Sequence, residues 1–191
     1  MKERESFNFI SDVVGAPRCT SVAVYTSEYV FRGDIHHAVS ERLLDVLNQG
    51  SVEDQPDLPP GFLLLTEVEI FSGTNRTSSV SNCVLNKSAI LLVGEEHLDQ
   101  AEPPPIPHYR SSLFTPKKPV RVNILMPTVT LVGHMHVIEW QRSMSAVDTE
   151  QLFLPLTTAR VLYPSAAEDT EFEFAAVNKS RVIALVEARN A

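Results

Sequence analysis

The chain has 191 residues, of which 43% are hydrophobic and 21% are charged, a composition typical of a folded protein and too apolar for a disordered one. Its formal net charge of −8 disfavours broad contact with nucleic acid or an anionic membrane, because both also carry negative charge. The charged N-terminus lacks the apolar stretch of a secretion signal, and no run approaches the roughly 18 apolar residues of a membrane span. We therefore expect a cytoplasmic protein that does not enter a membrane.

The first 93 residues are predicted to form one β-rich domain with a short helix. Residues 21–31 are rich in Val, Tyr and Phe, which favours a strand, and Gly33 then interrupts the strand pattern as a bulge or sharp bend would. In residues 38–48, apolar side chains follow Ser40 at helical spacing. This pattern predicts an amphipathic helix or helical turn with that serine as its cap.

Further strands are predicted before residue 93. In residues 65–70 the apolar side chains alternate with Thr and Glu, which is the period of a strand with one buried face. A turn is expected at residues 73–75, Gly-Thr-Asn. The run at residues 89–93 is short, apolar and continuous, as in a strand that is buried on both faces.

Residues 94–119 are predicted to be a linker between two domains. They hold six prolines and show neither helical nor strand periodicity. The prolines at 103–105 favour an extended, fairly stiff polyproline conformation. A second interpretation of this segment is a docking peptide for an aromatic-lined groove.

Residues 120–191 repeat the pattern of the first 93. Three blocks recur in the same order, which indicates an internal duplication. The first block is Gly33 followed by His36, which recurs as Gly133 followed by His136. The second is FLLLTEVEI at 62–70, which recurs as FLPLTTARV at 153–161. The third is Asn-Lys-Ser, at 86–88 and again at 178–180.

The second copy has the same kinds of element as the first. Strand patterns occur at 120–132, 156–162 and 181–186, with a weaker helical segment at 143–150 and a turn at 164–167. We therefore predict a mainly all-β fold, in which residues 1–93 and 120–191 each form a small, partly open SH3/Sm-like β-barrel with a short helical turn. A compact α+β sheet is the alternative.

Three short segments of the first copy resemble the Sm-like small β-barrel family. They are Gly33-Asp34-Ile35, Asp45-Val46-Leu47-Asn48 and Val84-Leu85-Asn86-Lys87. Taken whole, the chain resembles an uncharacterised bacterial family of tandem Sm-like domains. In Sm-like proteins the matching places hold an Asp…Asn element and an Arg-Gly element, which bind single-stranded RNA in a ring of subunits. In this sequence Asn86-Lys87 stands where Arg-Gly would be.

The Asn-Lys-Ser triplet is the polar feature present in both copies, and it supplies the candidate binding residues Asn86, Lys87, Asn178 and Lys179. One interpretation is structural, because Asn suits a tight bend and Ser can bond nearby backbone. The other places both lysines on one face, where they offer cations to phosphate or carboxylate.

Three histidines, His36, His134 and His136, admit either a structural role or half of a metal site, although no cysteine lies at a spacing that would complete such a site. The sequence contains no nucleophile elbow, no Walker loop and no glycine-rich phosphate loop. We therefore predict that the protein is not an enzyme and uses no cofactor or metal.

These observations favour a non-catalytic protein-association or assembly module. The expected partner is the protein itself, as a homo-oligomer, or another protein, since small cores often depend on a neighbouring subunit. The alternative function is single-stranded RNA binding of the Sm-like kind, which the net charge disfavours.

Overall fold

The computed structural model describes residues 18–49, 58–59, 61–96, 117–138, 148–162 and 170–188. Two sets of five strands follow each other along these ranges. The first set comprises β1 (Arg18–Tyr25), β2 (Tyr29–His37), β3 (Phe62–Ser72), β4 (Asn75–Asn86) and β5 (Leu92–Glu95), with helix α1 (Leu43–Gln49) after β2 and a 3-10 turn (Lys87–Ala89) after β4. The second set comprises β6 (Lys117–Leu125), β7 (Thr130–Ile138), β8 (Phe153–Leu162), β9 (Thr170–Asn178) and β10 (Ala184–Glu187), with a 3-10 turn (Lys179–Arg181) after β9.

All ten strands belong to one open antiparallel sheet, in the order β10-β6-β7-β8-β9-β5-β1-β2-β3-β4. Within each set the first four strands form a meander, and the fifth returns to pair with the first. The all-β prediction is confirmed. The arrangement as two tandem small barrels stays a prediction, because the strand pairing forms a single continuous sheet.

Gly33, where a bend was predicted, and its counterpart Gly133 both coincide with irregularities in the sheet. The pairing of β2 with β3 shifts register at Gly33, and the pairing of β7 with β8 shifts at Gly133. A Cβ on Gly33 would lie 2.7 Å from the Thr66 carbonyl oxygen, so a side chain would force this close approach apart. The residues opposite, Glu67 and Thr158, adopt left-handed backbone with φ of 48° and 50°. The same bulge is therefore built in both sets.

Several element boundaries differ from the sequence predictions. Residues 21–31 form a hairpin rather than one strand, since Thr26 donates its backbone N–H to the Tyr29 carbonyl at 2.9 Å. The segment at 120–132 is likewise a hairpin. Helix α1 begins three residues after Ser40, and Asp45 Oδ2 accepts from the Arg42 N–H in the place of the expected serine cap.

Other predictions agree with the structure or fall outside it. The turn at 73–75 is confirmed between β3 and β4, and Gly73 has φ 58° there. The closing run of the first set is buried as expected, whereas β10 is half-buried to exposed. Linker residues 97–116, the turn at 164–167 and most of the helical segment at 143–150 lie outside the described residues.

Two apolar clusters form the core, and each draws on both sets of strands. One combines Tyr25, Leu91 and Leu92 of the first set with residues of β6–β9. The other combines α1 and β1–β5 with Phe153 and Ala176 of the second set. Because each cluster contains side chains of both sets, the two sets pack against each other around the β5–β9 pair.

Candidate association interface

The two sets of strands meet through an antiparallel pair, β5 with β9, which we call the joint. Every residue in the register of the joint is buried. The paired residues are Leu92 with Val177, Val93 with Ala176 and Gly94 with Ala175. Edge-to-edge strand pairing between two similar halves is thus present within this chain.

Asn178 fixes one end of the joint. Its side chain is fully buried, and its Nδ2 donates to the Lys87 carbonyl at 3.0 Å and to the Ile90 carbonyl at 2.9 Å. Its backbone N–H donates to the Leu91 carbonyl at 2.9 Å. A buried amide with these partners holds the two sets at one relative position, because a slip of the strands would leave the amide unpaired.

Asn48 forms a second connection, from α1 to β8. Its Nδ2 donates to the Phe153 carbonyl at 3.1 Å, and its Oδ1 accepts from the Phe153 N–H at 2.8 Å. The side chain therefore satisfies both backbone groups of one residue, as a neighbouring strand would. The resemblance to Sm-like proteins placed Asn48 in an RNA-binding element, and in this structure its amide lies against the second set.

The Asn-Lys-Ser triplets form matching 3-10 turns after β4 and β9. Asn86 Oδ1 accepts from the Ser88 N–H at 2.9 Å and from Ser88 Oγ at 2.8 Å. Asn178 Oδ1 accepts from the same two groups of Ser180 at 3.0 and 2.7 Å. The asparagines differ in their surroundings, because Asn178 is buried in the joint whereas Asn86 is exposed at the end of β4.

The two lysines of the triplets bond inward. Lys87 is buried, and its Nζ donates to the Val46 carbonyl at 3.2 Å and the Leu47 carbonyl at 2.8 Å near the end of α1. Burial lowers the pKa of Lys87 from its ordinary value. Half-buried Lys179 donates through Nζ to the Thr149 carbonyl. Of the four candidate binding residues, Asn86 alone is exposed, and their binding of a ligand stays a prediction.

The two outer strands of the sheet, β4 and β10, are its open edges. In the described part of the chain β4 pairs with β3 alone and β10 with β6 alone. Large apolar side chains are exposed on both edges, at Val80 (39%), Val84 (51%), Ile183 (69%) and Val186 (48%). An open edge offers unpaired backbone groups to another strand, and exposed apolar side chains beside it favour such pairing.

The histidines take part in the same contact in both sets. His36 Nε2 lies 2.9 Å from Thr66 Oγ1, and His136 Nε2 lies 2.9 Å from Thr157 Oγ1. His134 lies opposite Arg121 in the β6–β7 register. Within the described ranges no group of three or more His, Cys, Asp or Glu side chains is placed to hold a metal ion. The histidine–threonine pairs sit where the bulges bend the strands.

A broad concave surface over the second set is predominantly acidic. Its lining includes four carboxylates and two guanidinium groups, from Glu95, Glu96, Glu171 and Glu173 and from Arg121 and Arg160. Arg160 Nε donates to Glu171 Oε1 at 2.8 Å, and Arg32 Nε lies 3.3 Å from Glu96 Oε1, so two of the four carboxylates are paired with a guanidinium group. The lining still holds more carboxylates than guanidinium groups, which disfavours phosphate there, as does the net charge of the chain.

None of the helices in the described ranges is long and apolar enough to cross a membrane. No protein-family model matches the chain, and neither a curated protein nor a solved structure matches it.

Proposed function

We propose that the protein is a non-catalytic assembly module whose copies associate through their open sheet edges. The observation that carries the proposal is the joint, where β5 and β9 already pair edge to edge within one chain. The surfaces that such a pair needs are present a second time on β10 and β4, each of which has a single neighbour among the described strands.

The repeated order of the strands identifies which edges would meet. The sheet reads β10-β6-β7-β8-β9 and then β5-β1-β2-β3-β4, so the two sets have the same order of strands. This repetition supports the internal duplication. In it β10 corresponds to β5 and β4 corresponds to β9. Docking of β10 from one chain on β4 of the next would therefore repeat the joint between chains.

Burial at corresponding positions supports the same pairing. Leu91 of the first set is fully buried by the second set, whereas its counterpart Ile183 is 69% exposed. Ala176 on β9 is fully buried, whereas its counterpart Val84 on β4 is 51% exposed. Each exposed residue keeps the apolar character of its buried counterpart, which a permanently solvated edge would not require.

The proposed contact is heterologous, because two different edges meet. A heterologous contact closes into a ring when the rotation between subunits permits it and otherwise extends as a filament. The sheet has one β10 edge and one β4 edge per chain, so this contact favours rings or filaments of several chains rather than isologous dimers.

Single-stranded RNA binding of the Sm-like kind ranks second. The lysines that it would use, Lys87 and Lys179, donate to main-chain carbonyls of their own chain, and the concave surface of the second set is acidic. Protein association requires neither cation to leave its present partner. Nucleic acid carried by the purified protein, detected by absorbance at 260 nm, would reverse this order.

The proposal is tested by the molar mass in solution of two matched variants. Ile183→Glu puts a charge immediately before β10, and Val39→Glu makes an equivalent change at a valine that is 60% exposed after β2, outside both outer strands. We expect multimers for the wild type and Val39→Glu, and monomers for Ile183→Glu, by size-exclusion chromatography with light scattering. Monomeric wild-type protein, or multimers of all three, would refute the proposal.

A further inference from the structure

Asn86 has half of the hydrogen-bonding pattern that Asn178 completes. Both side chains cap a 3-10 turn through Oδ1. Asn178 Nδ2 also donates to two carbonyls across the joint, whereas Asn86 is exposed and its Nδ2 donates to no residue that the structure describes. We infer that Asn86 is the residue that fixes the register of a second copy of this chain on β4. The inference rests on the proposed function and specifies its contact.

The register follows by counting from the two asparagines. Strand β5 begins six residues after Asn86, and β10 begins six residues after Asn178. Transferring the joint to the open edges sets three new pairs between chains. They are Ala184 with Leu85, Leu185 with Val84 and Val186 with Cys83.

The acceptors that Asn86 would need are formed in every copy. In the joint, Asn178 Nδ2 binds the carbonyls of Lys87 and Ile90, at the two ends of one turn. Their counterparts are the carbonyls of Lys179 and Val182. The second turn has the same internal bond as the first, because the Val182 N–H donates to the Lys179 carbonyl at 3.3 Å just as the Ile90 N–H donates to the Lys87 carbonyl.

Side-chain volume along the edges is also complementary. In the joint a Cβ on Gly94 would lie 2.6 Å from the ring of Phe172, so the large ring requires a glycine beside it. Counted from the asparagines, the counterpart of Gly94 is Val186 and that of Phe172 is Val80. Both valines are exposed, at 48% and 39%. The joint thus pairs a very small residue with a large one, whereas the open edges carry two medium-sized residues at the corresponding places. The combined side-chain volume of the two pairs is similar.

Replacement of the amide separates the anchoring role of Asn86 from its capping role. Asn86→Asp keeps an Oδ1 acceptor for Ser88 but puts a carboxylate against two carbonyl groups of the neighbouring chain. Asn75→Asp makes the same change of charge on the same strand, at an exposed residue far from the proposed register. We expect association at least tenfold weaker for Asn86→Asp and unchanged within twofold for Asn75→Asp, by native mass spectrometry over a dilution series.

The register is read directly by disulfide formation between chains. In a Cys19→Ser background, Val186→Cys should cross-link under mild oxidation to the native Cys83 of a neighbouring chain, since facing residues in an antiparallel pair lie within disulfide reach. Glu187→Cys, which points to the other face of β10, is the matched control and should not cross-link.

Three results have distinct meanings. Wild-type protein that stays monomeric refutes the proposed function, and the inference with it. A wild-type assembly that Asn86→Asp does not weaken, or in which Val186→Cys fails to cross-link to Cys83, refutes the inference and leaves the proposed function standing. Weakened association together with the Cys83 cross-link supports both.

Discussion

The joint should make one asparagine far more important for stability than its counterpart. Asn178→Ala removes the Nδ2 donors of two buried carbonyls, at 3.0 and 2.9 Å, together with the cap on Ser180. The Lys87 carbonyl keeps the Ile90 N–H as a second partner, whereas the Ile90 carbonyl loses its amide. Leaving buried acceptors without a partner costs about 1–3 kcal/mol each, so we expect a total loss of about 2–4 kcal/mol.

Asn86→Ala should lower the free energy of unfolding much less, because this side chain is exposed and its role within the chain is to cap the 3-10 turn. Loss of such a cap is worth about 0.5–1 kcal/mol. Urea denaturation followed by circular dichroism measures both changes. It should be done in the Ile183→Glu background, so that association does not contribute to the free energy of unfolding. For a chain of this length each kcal/mol lowers Tm by about 2–4 °C. Equal losses for Asn178→Ala and Asn86→Ala would refute the role assigned to the joint.

Four further predictions concern residues in or near the joint. Lys87→Met should lower the free energy of unfolding by about 1.5–3 kcal/mol, because it removes the ammonium that bonds two carbonyls of α1. Lys179→Met should lower it less, because the bond of Lys179 to Thr149 is exposed. Burial lowers the pKa of Lys87, so below the folded-state pKa the charged ammonium opposes folding. As pH rises through that pKa, the folded protein loses the proton before the unfolded chain does, and the wild type should gain stability relative to Lys87→Met. A pH series of urea titrations measures this difference. Gly94→Val should lower the free energy of unfolding by about 1–3 kcal/mol, because the new side chain collides with the Phe172 ring. The loss should be smaller in a Phe172→Val background, which a double-mutant cycle measures. Asn48→Ala should cost about 1–3 kcal/mol by the loss of both bonds to the main chain of β8, measured by urea denaturation.

The sequence predicted the features that depend on local backbone geometry. Gly33 and Gly133 stand in strand patterns, and both mark bulges, where an added Cβ would lie 2.7 Å from the Thr66 carbonyl oxygen or from the Leu156 side chain. The hairpin inside residues 21–31 was missed. Its turn contains no Gly, Pro or Asn and is held by the Thr26 hydroxyl, which accepts from the Tyr29 N–H at 3.0 Å. A hydroxyl that closes a turn leaves little trace in composition.

The candidate interface was beyond the reach of local patterns. Asn86 and Asn178 occupy identical triplets, and only the tertiary arrangement buries one and exposes the other. The contact of Asn48 with Phe153 joins residues 105 positions apart in the sequence. The repeated triplet did indicate that these asparagines were structurally important, but the strand order was needed to identify what they join.

Native mass spectrometry of the unmodified protein tests the central claim most directly. A chain of 21.2 kDa that associates through its β4 and β10 edges should appear as integral multiples of that mass, free of bound nucleic acid. On dilution the multimers should dissociate toward the monomer. A species that remains at 21.2 kDa at the highest protein concentration would contradict assembly through β4 and β10.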